Sequence, residues 1–176
     1  MKAILITILL ASCSTLNARD LPLDTVEYVE LDRYLGKWYE IARFDQKFQK
    51  DCTAVTANYS LRKNGEIEVL NTCRKLTPTG KLKTAKARAW ITDKETNAKL
   101  KVQFFLRSLR IPFFAGNYWI LELGDNYEYA IVGDPSREYL WFLSRTEKIE
   151  SDVYEYLIKR AEEMKFDTSK LIKTIH

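Results

Sequence analysis

The sequence predicts an all-β fold of antiparallel strands, a barrel or a sandwich, followed by a single C-terminal helix. Three observations predict it. Apolar and polar residues alternate with period two from residue 38 to residue 146. The alternating runs are short and are broken by Asn64-Gly65, Pro78-Thr79-Gly80, Gly124-Asp125-Asn126 and Gly133-Asp134-Pro135. Helical spacing follows only after the last run. The chain's 176 residues suit one domain with one sizeable core, and its 46% hydrophobic and 30% charged residues argue against disorder.

Taken in order, the chain begins with Met1-Lys2, the apolar run Ala3 to Leu10 and the small residues Ala11-Ser12, the layout of an export leader. Leu10-Ala11-Ser12-Cys13 resembles the lipobox of bacterial lipoproteins. That resemblance implies cleavage before Cys13 and a diacylglycerol anchor, of the palmitate class, on its thiol. Ser14 stands where an Asp would mark inner-membrane retention, so the same resemblance implies anchoring to the bacterial outer membrane, with the protein facing the periplasm. Residues 1–12 are therefore expected to be a lipoprotein signal peptide, 13–25 a tether containing Pro22, and 26–176 the folded domain.

Eight strands are expected at 37–44, 53–61, 66–73, 82–91, 98–105, 117–123, 127–133 and 139–145. In the fourth, Ala85, Ala87 and Ala89 alternate with Lys86 and Arg88; in the fifth, Leu100, Val102 and Phe104 alternate with Lys99, Lys101 and Gln103. One face is wet and the other apolar. A filled core favours large branched residues, so three inward alanines point to space in the interior, and an eight-stranded barrel is the size that can hold one small ligand. Val153, Tyr156, Leu157, Arg160, Ala161 and Met164 then recur at helical spacing, predicting a helix over 152–165 with Ser151-Asp152 at its N-cap and its apolar stripe on the outside of the sheet. Residues 167–175 are expected to form a short strand or an ordered tail.

The side-chain inventory excludes most chemistry. The one histidine, His176, is the last residue, and no Gly-x-Ser-x-Gly elbow, phosphate-cradling glycine loop or metal-ligand spacing occurs. No enzyme, cofactor or metal is expected. The formal net charge of +4, to which Lys2 of the leader contributes one, is mild. Lys86, Arg88, Lys99 and Lys101 make an outward basic stripe, but without interleaved exposed aromatics nucleic acid is not expected. With Cys13 assigned to lipid, Cys52 and Cys73 remain as an even pair in an oxidising compartment, either a disulfide or free thiols.

Leu35-Gly36-Lys37-Trp38-Tyr39-Glu40 resembles the Gly-x-Trp signature that opens the first strand of lipocalins, most closely those of the bacterial outer-membrane and apolipoprotein D branch. Ala57-Asn58-Tyr59-Ser60-Leu61, Tyr118-Trp119-Ile120-Leu121, Tyr127 to Val132 and Leu140 to Thr146 match in the same order, so the resemblance covers nearly all of residues 28–175. It implies an eight-stranded antiparallel up-and-down barrel with the helix packed outside, and a structural role for Gly36, Trp38 and Arg145. Trp141, Leu143 and Arg145 share a face of their strand, and in the family such an inward arginine stacks on the indole corresponding to Trp38.

The resemblance further implies a cavity whose ligand contacts are Tyr59, Asn71, Phe104, Trp119 and Trp141, and a role in binding, storage or transport of a fatty acid or lysophospholipid. Loops 44–52, 74–81, 105–116 and 133–138 would surround its mouth, which places Cys52 and Cys73 at the rim, where a disulfide is reasonable. Pairing through a two-residue Asn64-Gly65 turn would set Cys52 opposite residue 77, so a bulge or a longer turn is required. An alternative function borrows from relatives that isomerise lipid endoperoxides with a cavity thiol, here an unpaired Cys73. The apolar loop Phe105 to Phe114 reads either as a lid or as a membrane-docking surface, with Phe113 and Phe114 entering the interface and Arg107 or Arg110 meeting phosphate. The expected partners are thus a lipid ligand, the membrane surface and, as an open possibility, a second copy of the chain.

Overall fold

The period-two alternation becomes a closed sheet. The structure is a computed structural model that describes residues 21–106 and 109–176. The strands are β1 (Gly36–Phe44), β2 (Cys52–Leu61), β3 (Ile67–Lys75), β4 (Leu82–Ile91), β5 (Lys99–Gln103), β6 (Gly116–Leu123), β7 (Tyr129–Gly133), β8 (Leu140–Ser144) and β9 (Leu171–Lys173). Each of β2 to β7 pairs antiparallel with the next, and β1 closes the barrel by pairing with β8 on one edge and with β2 on the other. The eight predicted strands are all present, with ends moved by a few residues. β7 starts at Tyr129 because Tyr127 takes a left-handed φ of 61°.

The ninth strand comes from the tail. β1 shares its last β2 pair at Tyr39↔Thr56, and beyond that point β9 takes over the edge, pairing Ala42↔Lys173 to Phe44↔Leu171. The Ala54 N–H donates to the Ile175 carbonyl at 2.6 Å, so the tail spans the seam between β1 and β2.

Two cores lie on opposite sides of the sheet. Inside, Trp38, Tyr59, Ile67, Val69, Ala87, Ala89, Leu100, Ile120 and Val132 are buried together. Outside, helix α2 (Ser151–Glu163) buries Leu157 and Ala161 against Ile131, Leu140 and Phe142, all fully buried. Each of the larger side chains, Leu157, Ile131, Leu140 and Phe142, contributes about 1.5–3 kcal/mol. Glu150, rather than Ser151, occupies the cap position, and the helix is tied to β6 by Arg160 Nε donating to Glu122 at 2.7 Å.

A short helix, α1 (Leu31–Tyr34), closes one end of the barrel. Trp38 is fully buried there, its indole N–H donating to the Tyr34 carbonyl at 2.8 Å. The Arg145 guanidinium lies 3.8 Å from the Trp38 ring centroid and donates to the carbonyls of Arg33, Tyr34, Leu35, Lys37 and Tyr127. Gly36 sits between them at φ +89°, a conformation that a side chain would strain. One arginine thus collects backbone carbonyls that the end of the barrel leaves unpaired, and stacks a cation on an aromatic face.

Candidate functional site

The opposite end is open. A cavity of about 420 Å³ runs inward from it, within the range that holds small ligands. Inward residues of β2, β3, β5, β6 and β8 build the wall, among them Val55, Ala57, Val69, Val102, Tyr118 and Leu143, while Phe48, Phe105 and Phe114 stand at the mouth. Of the predicted contacts, Tyr59, Asn71, Phe104 and Trp141 line this space.

Trp119 does not line it, which corrects the sequence reading. It packs on the outer core beside α2, with Lys99 Nζ 4.8 Å from its ring centroid, and its neighbour Tyr118 faces the interior instead. β6 through β8 are apolar on both faces because the helix covers their outside, so alternation there cannot tell inside from outside. The β4 alanines are likewise not the lining: Ala87 and Ala89 are buried in the inner core, and it is their cross-strand partners Val69 and Val102 that line the cavity.

The floor is made of three phenols. Tyr34 Oη and Tyr59 Oη lie 2.7 and 2.9 Å from Tyr118 Oη, above the Trp38–Arg145 closure. Burial pushes all three phenols above their ordinary range, Tyr59 to about 12. Nearer the mouth, Trp141 Nε1 donates to Gln49 at 3.1 Å, and Gln49 donates to Glu40 at 2.6 Å. Glu40 also accepts from Arg43 and from Thr174 of the tail, so this buried carboxylate is fully partnered and braces the seam beside β9. Tyr34, Tyr118, Glu40 and Gln49 were not legible as a set, because they are brought together from α1, β1, β6 and a mouth loop.

Cys52 and Cys73 form a disulfide at the rim, with Cα atoms 5.4 Å apart. Both of these adjustments occur together: the β2–β3 turn runs from Arg62 to Glu66, and the register shifts between Thr53 and Thr56 where Ala54 takes a positive φ, so Cys52 pairs with Lys75. The bonded Cys73 has no thiol to offer and is not part of the cavity lining, which overturns the isomerase alternative.

The loop after β5 is anchored by Gln103, whose amide donates to the carbonyls of Phe105, Leu106 and Leu109 and accepts from the Ile111 N–H. Phe105, Leu106, Leu109, Phe113 and Phe114 are all exposed, Phe113 to 89%. Arg110 is exposed with them, its guanidinium lying 4.6 Å from the Trp90 ring centroid, while Arg107 and Cys13 lie outside the described residues. Within the basic stripe, Arg88 is buried in an ion pair with Glu66. Among the described residues no group of His, Cys, Asp and Glu could hold a metal, and no helix is long and apolar enough to cross a membrane.

Comparison with known proteins gives the same fold and a family. The model of the lipocalin-like domain matches residues 29–176. The chain is 42% identical over 144 residues to the outer membrane lipoprotein Blc of Vibrio cholerae, covering 81% of this chain and 80% of that protein. It is 40% identical over 155 residues to temperature-induced lipocalin-1 of Arabidopsis thaliana, covering 86% and 82%. Among solved structures, insecticyanin from the tobacco hornworm Manduca sexta superposes with a TM-score of 0.69 at 18% identity, covering 89% of this chain and 85% of that one, a likeness of fold.

Proposed function

This chain belongs to the lipocalin family, and on that premise we propose that it binds and carries a fatty acid or lysophospholipid while held at a bacterial outer membrane by an acylated Cys13. The observation that carries the reading is the open-ended cavity of about 420 Å³ with a largely aromatic and aliphatic wall. An acyl chain entering it leaves water at roughly 25 cal/mol per Å² of apolar surface buried. The lining includes no Lys or Arg, whereas Lys47, Lys50 and Lys81 are exposed on the mouth loops. The chain therefore goes in and an anionic head stays at the rim. The lipobox-like start and the similarity to an outer membrane lipoprotein support the anchor and the location.

The exposed rim of Phe48, Phe105, Leu106, Leu109 and Phe113 supports a mouth turned toward lipid, its apolar side chains at the interface and its flanking lysines toward anionic headgroups. In this arrangement a ligand leaves or enters the bilayer without crossing bulk water. Native mass spectrometry of the protein purified without added lipid tests the carriage: a co-purifying acyl species is expected, released on unfolding. Protein that travels empty and takes up neither palmitate nor lysophosphatidylcholine would overturn it. Ala57→Trp, which projects an indole into the cavity, is expected to lower uptake at least tenfold.

A further inference from the structure

The hydrogen bonds at the cavity floor do not use all their hydrogens. Tyr34, Tyr59 and Tyr118 make two bonds, both to Tyr118 Oη, yet each phenol carries one hydrogen. One is left over. Tyr34 is buried in the inner core and is not among the residues lining the cavity, and its hydroxyl has no partner but Tyr118 among the described residues. An unmet buried donor is costly, so Tyr34 donates to Tyr118, and the leftover hydrogen belongs to Tyr118 or Tyr59, both of which line the cavity. With their pKa values raised by burial, these phenols are neutral donors at physiological pH.

The neighbouring wall offers the complement. Asn71 Oδ1 is buried with no hydrogen-bond partner. Tyr59 pairs with Val69, so Asn71, two residues further along β3 on the same inward face, is the diagonal neighbour of Tyr59, one pleat nearer the mouth. The group that meets both needs has one oxygen to accept and one hydrogen to donate, and it is uncharged, because no Lys or Arg lines the cavity to offset an anion.

We propose that Tyr59, Tyr118 and Asn71 form a subsite for a hydroxyl carried on the ligand's acyl chain, so that the cavity selects hydroxylated acyl chains over plain ones. The hydroxyl accepts from the floor phenols and donates to Asn71 Oδ1, while the charged head remains at the mouth. This rests on the reading of the cavity as a lipid carrier.

The test titrates the full-length protein, stripped of co-purified lipid, with stearate and with 12-hydroxystearate by displacement of a fluorescent fatty acid. The hydroxylated chain is expected to bind about tenfold more tightly. Tyr59→Phe keeps part of the preference, since Tyr118 still has a hydrogen facing the cavity; Tyr59→Phe with Tyr118→Phe brings the affinity ratio to near one. Asn71→Leu, which leaves the floor intact, lowers the ratio severalfold and serves if the double variant does not fold. Equal affinities in the native protein, a preference that survives in the folded double variant, or one untouched by Asn71→Leu would each overturn the subsite while leaving carriage standing. If neither ligand bound, the carrier reading would fall as well.

Discussion

At the closed end of the barrel every strong group is spoken for: Trp38 is fully buried, and Arg145 donates to five backbone carbonyls while stacking on its ring. At the open end Phe113 is 89% exposed and Phe105 77%, and the cavity wall carries an acceptor with no partner. The same sheet thus has one end whose interactions are complete and another whose interactions are unfinished. Stability is concentrated where contacts are saturated, and binding capacity where they are not, because an unmet apolar surface or polar atom is what a ligand or a bilayer can improve.

Substitutions that break this contrast should differ in size accordingly. Trp38→Ala removes the largest fully buried side chain and the face on which Arg145 rests, and is expected to cost about 3–5 kcal/mol in urea unfolding. A cost below about 1 kcal/mol would mean that the closed end is not the stable one. Replacing Cys52 and Cys73 by Ser opens a loop with a sequence separation of 21 and should cost about 3 kcal/mol, with lipid uptake retained in whatever fraction remains folded. Loss of uptake from fully folded protein would show that the bond shapes the cavity rather than closing a chain loop.

A smaller effect is expected on lowering the pH. Burial alone would raise Glu66, but hydrogen bonds from Arg88 and Asn64, with the charges of Arg88 and Arg110, outweigh it and hold the carboxyl below its usual value. Its contribution to stability is therefore complete above the unfolded carboxylate pKa of about 4.3 and is lost as pH falls through the lower folded value. Unfolding free energies measured between pH 6 and pH 2 should fall less steeply for Glu66→Gln than for the native chain; parallel curves would dismiss the linkage. Smallest in stability is Phe113→Ser with Phe114→Ser, expected to shift unfolding by less than about 0.5 kcal/mol. In a Cys13→Ser background the same pair should abolish most adsorption to vesicles containing phosphatidylglycerol, and unchanged adsorption would remove the docking role of the rim.

Much of this was legible in the residues. Strand positions followed from period two and from turn residues, and Arg145 from its place in the face shared by Trp141 and Leu143. Four of five cavity positions, Tyr59, Asn71, Phe104 and Trp141, came from the resemblance and lie on the wall. Trp119 was misplaced where the outer face is as apolar as the inner one. The contact of Arg110 with the Trp90 ring was not legible, because a loop residue has no periodicity to say which neighbour it meets.

The sequence by itself determined the strands, the C-terminal helix, the signature pair at the barrel's end and the family, since each is written in local alternation or in contiguous motifs. Only the tertiary structure decided that the tail fills the seam as β9, that Tyr34, Tyr59 and Tyr118 share one hydrogen-bonded floor, and that Cys73 is bonded. The physical reason is distance along the chain: Tyr34 and Tyr118 are 84 residues apart, and hydrogen bonds and disulfides act over a few ångströms of space that no local pattern encodes.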